Sequence, residues 1–197
     1  MCGLAGLIDL SRSTTRDALT AAATAMADTL AHRGPDSAGV WVDETAGVAL
    51  GHRRLAIIDL SPAGHQPMLT RDGDFVLIYN GLVYNFEELR SELEAVGRHF
   101  YSRTDTEVIL AAIAEWGLEV AVSRFIGMFA FALWDRRQYR LHLVRDRLGI
   151  KPLYYGDLAG KQFAFASELR ALRVLPSFDN PIDRQALTLY MQRNCVP

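Results

Sequence analysis

The sequence predicts an α+β domain in which helices are layered on two packed sheets. Three observations carry that expectation. Short apolar runs separated by turn residues crowd the last third of the chain: Phe125 to Trp134, Arg140 to Val144, Leu153 to Tyr155 and Phe163 to Ala166. Earlier strand-like runs alternate with segments whose apolar residues recur every three or four positions, the spacing of one helix face. Half of the 197 residues are hydrophobic, enough for one large domain with a sizeable core.

In chain order, Gly3 to Leu10 reads as a first, buried strand. Leu19, Ala22, Met26 and Leu30 mark a helix, stopped by His32-Arg33-Gly34-Pro35-Asp36. Val40 to Val42 and Val48 to Gly51 are short strands around an acidic turn. Ser61 to Pro67 is a turn-rich loop. Phe75 to Tyr79 is a central strand that runs into Asn80-Gly81. Asn85 and Glu88 have capping-box spacing ahead of a helix whose apolar face is Phe86, Leu89, Leu93 and Val96. A short strand is expected at His99 to Ser102, followed by a second capping box, Thr104 with Glu107, and a helix to Trp116. The four late strands are expected to form one antiparallel meander. Ser167 to Leu172 and Asp183 to Gln192 read as helices.

Composition excludes several classes. A net charge of −2 supplies no basic face for nucleic acid. Cys2 and Cys195 lie at opposite ends, and neither they nor the five scattered histidines have metal-ligand spacing. The longest apolar run, Phe125 to Trp134, is too short to span a bilayer. The stretch Cys2 to Leu10 is broken by Asp9 and lacks a basic leader, so no signal peptide is expected. These features point to a cytoplasmic protein without membrane or nucleic-acid partners.

Four places could carry chemistry. Cys2 follows the initiator methionine. Once Met1 is removed, Cys2 would hold a thiol and a free α-amine, a nucleophile with its own base. Their reference pKa values of ~8.5 and ~7.7–8 make proton exchange between them cheap. A buried, inert cysteine is the alternative. Arg53 and Arg54 at the mouth of an apolar strand are either a solvated strand end or a guanidinium fork for a carboxylate. Asn80-Gly81 is either a tight turn or a pair of uncharged donors delivered into a loop, as an oxyanion hole requires. Asp105 opens a helix, where the helix dipole alone favours a carboxylate by ~0.3–1 kcal/mol. The other reading aims that carboxylate at a ligand ammonium.

Several motifs, taken together, carry a resemblance. They are Met1-Cys2-Gly3, His32-Arg33-Gly34-Pro35-Asp36, Gly51-His52-Arg53-Arg54-Leu55, Asn80-Gly81 with Tyr84-Asn85, Thr104-Asp105-Thr106-Glu107, Gly127 to Ala132, and Arg145 to Tyr155. In this order, and covering nearly the whole chain, they resemble the glutaminase domain of class II glutamine amidotransferases. These are N-terminal nucleophile hydrolases, and the chain looks most like the glutamine-hydrolysing asparagine synthetases. The resemblance implies a four-layer αββα sandwich of two mainly antiparallel sheets flanked by helices. It implies Cys2 as nucleophile, Asn80 and the Gly81 N–H as oxyanion hole, Arg54 on the glutamine α-carboxylate and Asp105 on its α-ammonium. Backbone at Ile57 and Ile58 would line the pocket.

The sequence departs from the family pattern twice. Leu82 stands where the family usually has a glutamate that helps hold the substrate ammonium. The phosphate loop of an ATP-pyrophosphatase domain has no counterpart here. The resemblance therefore implies a glutaminase domain over 1–180, with 181–197 starting a linker or the first helix of a synthetase domain. L-Glutamine would be the substrate, the synthetase domain would act in cis or in trans, and a homodimer is compatible. No cofactor is expected in this domain; ATP and magnesium belong to the synthetase reaction.

Overall fold

The computed structural model describes residues 1–158, 161–179 and 181–195. Among these residues, nine strands build two antiparallel sheets. The first runs β2 (Ser37–Asp43), β3 (Val48–Arg54), β1 (Gly3–Asp9), β9 (Gln162–Ala166), β8 (Tyr154–Leu158). The second runs β4 (Met68–Leu69), β5 (Phe75–Val83), β6 (Gly127–Asp135), β7 (Arg140–Arg145). The helices are α1 (Arg16–Asp28), α2 (Phe86–Ala95), α3 (Asp105–Trp116), α4 (Leu118–Arg124), α5 (Leu169–Leu172) and α6 (Arg184–Arg193).

Side-chain alternation along the strands sorts the core into three clusters. On one face of the first sheet, Ala5 and Leu7 of β1 meet Leu19, Ala23 and Met26 of α1. The opposite face sends Leu4, Val48, Leu50 and Phe165 against Val76, Ile78, Ala130 and Ala132 of the second sheet. The outer face of that sheet presents Leu77, Tyr79, Val83 and Phe131 to Leu89, Val108, Ile109 and Ile113 of α2 and α3. β1 is central, paired with β3 on one side and β9 on the other, so the backbone behind Cys2 is held on both edges.

Local chemistry fixes the connections. Buried Asp9 at the end of β1 accepts hydrogen bonds from the Ser11, Ser13 and Thr14 amides and from the Ser11 and Thr14 hydroxyls, which turns the chain into α1. The Thr104 hydroxyl accepts from the Glu107 amide (3.2 Å) and caps α3.

Several expectations are corrected. Asn80-Gly81 forms neither a turn nor a loop: β5 continues through Val83, with Asn80 opposite Ala130 and Gly81 opposite Phe129. Asn85 makes no cap. Its amide donates to Arg124 O, its carbonyl accepts from Ile126 N, and so it ties α2 to the α4–β6 junction. No strand forms at 99–102, where the Glu107 carboxylate accepts from the Tyr101 and Ser102 amides in place of a ladder. The four late strands are not one meander. β6 and β7 complete the second sheet, while β8 and β9 join the first. β4 and α4 were not foreseen, and α6 buries none of its described residues.

Candidate active site

β1, β3 and β5 converge on a cavity of about 340 Å³. Its lining includes every residue to which the resemblance gives a place in the site, Cys2, Arg54, Ile57, Ile58, Asn80, Gly81, Leu82 and Asp105, but not Arg53. A larger, open groove of about 950 Å³ lies between β7 and the β8–β9 hairpin and contains none of them.

Cys2 precedes β1 and is half-buried. Its sulfur accepts from Leu55 N at 3.4 Å and faces Leu55 O at 3.7 Å. Arg33, a residue with no assigned role from sequence, donates from Nε to Cys2 O at 2.9 Å and from Nη1 to Glu168 at 2.9 Å. Burial pushes the thiol pKa up, against the Leu55 hydrogen bond and the positive charges of the chain terminus and Arg54. The resting sulfur is therefore a thiol at neutral pH and needs a base to become a nucleophile. Met1 occupies the cavity wall, with its ammonium on Arg33 O at 3.2 Å and its thioether 3.5 Å from Lys151 Nζ. While Met1 is attached, the Cys2 nitrogen is an amide and cannot accept a proton.

Strand alternation separates the two arginines. Arg53 reaches Asp28 at 3.6 Å. Arg54 is buried and lines the cavity. Its guanidinium donates to Ser61 O at 2.9 Å and to Asp59 O, which aims the fork. Gly64 makes room for it: a Cβ there would lie 2.1 Å from Arg54 Nη2. Ile57 and Ile58 are exposed on the loop that the same guanidinium holds.

The edge of β5 supplies the donors. β4 covers only Val76 and Leu77, so the edge beyond is open. Side chains take over from the missing strand. The Gln66 amide oxygen accepts from Tyr79 N at 2.7 Å, His52 Nε2 donates to Tyr79 O at 2.9 Å, and Asp105 accepts from Val83 N at 3.1 Å. Tyr79 and Val83 thus point their amides away from β6, and the period of two turns the Gly81 N–H the same way. Among the described residues, no protein acceptor meets it. Asn80 is 1% exposed, and among the described residues its Nδ2 has no hydrogen-bond partner. An unpartnered buried amide costs ~1–3 kcal/mol, so such a group is explained by something it must receive. Close approach of β6 requires glycine at 81, because a Cβ there would sit 2.4 Å from Met128 O.

Asp105, at the first position of α3, is buried with Oδ2 accepting from the Tyr79 hydroxyl at 2.6 Å and from Val83 N. Burial raises its pKa, while these donors hold the rise in check. Burial lowers His52 to about 4, so it is a neutral donor. Among the described residues, no group of three or more His, Cys, Asp or Glu is placed to hold a metal. No described helix is long and apolar enough to cross a membrane. Sequence reasoning passed over Tyr79, Gln66, Arg33 and Lys151; only their recurrence inside the recognised motifs, or their place beside Asn80, could have marked them.

The fold is shared with glutamine phosphoribosylpyrophosphate amidotransferase from Bacillus subtilis. The TM-score is 0.71 at 21% identity, over 87% of this chain and 43% of that one. The chain belongs to the glutamine amidotransferase domain family, whose model matches residues 1–197. It is 42% identical over 190 residues to asparagine synthetase [glutamine-hydrolyzing] 3 of Bacillus subtilis, covering 95% of this chain and 30% of that protein. A putative asparagine synthetase [glutamine-hydrolyzing] 2 of Methanocaldococcus jannaschii is 34% identical over 215 residues, 100% of this chain and 40% of that protein. The chain thus spans well under half the length of these relatives.

Proposed function

We propose that this chain hydrolyses the side-chain amide of L-glutamine to glutamate and ammonia. The observation that carries the reading is Asn80 Nδ2, buried without a hydrogen-bond partner among the described residues, lining one cavity with Cys2 and with Gly81, whose N–H faces away from β6. Removal of Met1 frees the Cys2 α-amine. The amine takes the thiol proton, directly or through a water, as the sulfur attacks the amide carbon. The oxyanion is received by Asn80 and Gly81. The proton passes to the departing nitrogen, the C–N bond breaks, and ammonia leaves a γ-glutamyl thioester. Water then hydrolyses the thioester, giving glutamate and restoring the thiol. Arg54 grips the α-carboxylate and Asp105 the α-ammonium, while the Ile57–Ile58 loop and Leu82 form the wall. Nucleophile, base and oxyanion donors complete this chemistry without a cofactor.

We read the layers as the αββα sandwich of N-terminal nucleophile hydrolases. The glutaminase unit ends near residue 180, and 181–197, with the unburied α6, leads toward a synthetase unit in cis or in trans. The names of the relatives support asparagine as the product; we take aspartate as the ammonia acceptor, with ATP and magnesium used by that unit. A cytoplasmic location suits a free thiol nucleophile, which an oxidising compartment would block. Leu82 favours a second reading, in which the acceptor is another carboxylate or the domain binds glutamine without turnover.

The test is glutamate release by a sample whose intact mass shows Cys2 at the N-terminus. Release from L-glutamine, with none from a primary amide lacking the α-amino acid head, is expected. Binding of glutamine without release would favour the second reading.

A further inference from the structure

Tyr79 has every one of its polar groups engaged, and hydrolysis as described gives it no task. It is 3% exposed and engaged at three points. Its amide N–H is held by Gln66, which is itself anchored to the Thr106 hydroxyl at 3.3 Å. Its carbonyl is held by His52. Its hydroxyl donates to Asp105 Oδ2 at 2.6 Å. Thr106 and Asp105 open α3; His52 comes from the other sheet. Tyr79 therefore ties the helix start and both sheets together, one residue before Asn80.

The bonds on Asp105 are one-sided. The Tyr79 hydroxyl and the Val83 amide both fall on Oδ2, which leaves Oδ1 as the oxygen neither engages. Among the described residues, two acidic side chains line the cavity, Asp59 and Asp105. Asp59 is already occupied by the Ser61 and Arg103 amides. Leu82 adds no charge. The recognition of a ligand ammonium falls on one oxygen of Asp105.

We propose that Tyr79 is the positioning residue that sets specificity for an α-amino acid amide, by fixing Asp105 through Oδ2 so that Oδ1 meets the substrate ammonium. This rests on the glutaminase reading. The hydroxyl also favours the ionised form of Asp105, where burial works against it. The charged or titratable groups around Asp105 are Tyr79 from β5 and, across the cavity, Cys2, Arg54, Asp59 and Lys151. Among the described residues, α2, α4 and β4 bring no charged side chain to the cavity, and Glu107 of α3 is turned to the Tyr101 and Ser102 amides.

The test is Tyr79→Phe in the chain with Cys2 at its N-terminus, beside the unsubstituted chain and Asp105→Asn. KM and kcat for L-glutamine are measured from pH 5 to 9, and the Asp105 carboxyl is titrated by 13C NMR with Asp105→Asn assigning the signal. In the unsubstituted chain, glutamine affinity falls as pH drops through the Asp105 pKa. Loss of a hydrogen bond to a charged group moves that acid limb, and the NMR titration with it, up by roughly one to two pH units. KM rises about tenfold near neutral pH, with a smaller change in kcat. Asp105→Asn has no such limb. An active unsubstituted chain with an unmoved limb and unmoved titration in Tyr79→Phe overturns the proposal and leaves the glutaminase reading standing. If the unsubstituted chain neither binds nor hydrolyses glutamine, the reading itself fails, and the proposal with it.

Discussion

Asn80→Leu should make the protein more stable and stop it working. Asn80 sits on the inter-sheet face of β5, opposite Ala130 and on the same side as Ile78. Its amide nitrogen is buried without a partner. Leucine has the same branched heavy-atom skeleton and removes that desolvation cost of ~1–3 kcal/mol. For a chain of this size each kcal/mol moves Tm by about 2–4 °C, so a rise of roughly 2–12 °C is expected. Turnover loses one of two oxyanion donors, which costs ~2.7–4 kcal/mol, or a factor of about 10² to 10³. Glutamine affinity, which rests on Arg54 and Asp105, should change little. Calorimetric unfolding, glutamate release and glutamine titration of a Cys2 N-terminal sample give the three readouts. A lower Tm with unchanged turnover would refute the reasoning, since Asn80 would then be an ordinary core residue.

Gly64→Ala tests the aiming of Arg54 without touching it. The new Cβ would stand 2.1 Å from Nη2 and 2.7 Å from Cζ, so the guanidinium must leave the Ser61 and Asp59 carbonyls. Losing a charge-assisted hydrogen bond is worth ~1.5–3 kcal/mol, so KM for glutamine should rise about 10- to 100-fold, as steady-state kinetics would reveal. His52 predicts a pH dependence of stability. Its pKa is about 4 when folded and 6.5 when unfolded, so the unfolded chain binds the extra proton between these values. Stability therefore falls as pH drops from 6.5 to 4, by about 3 kcal/mol in all, and urea unfolding of His52→Gln should lack that contribution.

Much of the site was legible because its parts sit at positions with few uses. A cysteine after Met1 pointed to Cys2 before any fold was known, whereas Asp105 by itself reads as a helix-dipole carboxylate and only the resemblance aims it at a ligand. What sequence could not convey was which backbone edges stay unpaired. Asn80-Gly81 reads as a turn because that is its common role; here it remains strand because β6 pairs along its whole length. The donors come from the shortness of β4, a two-residue strand with no sequence signal. Tyr79 reads as one more apolar residue in a central strand, since a hydroxyl's partner lies 26 residues away. Periodicity found β6 to β9 but not their sheets, because alternation marks two faces and does not say which neighbour covers them. Gly117 reads as the end of a helix, and it is; at φ +78° it also opens α4, whose seven residues are too short a stretch for periodicity to mark.

The central claim is a covalent one, and rapid quenching tests it most directly. The chain with Cys2 at its N-terminus is mixed with L-glutamine, stopped in acid within the first turnovers and digested. The N-terminal peptide should carry a γ-glutamyl group on sulfur, and the group should be absent from Cys2→Ala and from chain that retains Met1. Glutamate release with no adduct on Cys2, or undiminished release from Cys2→Ala, would contradict the account.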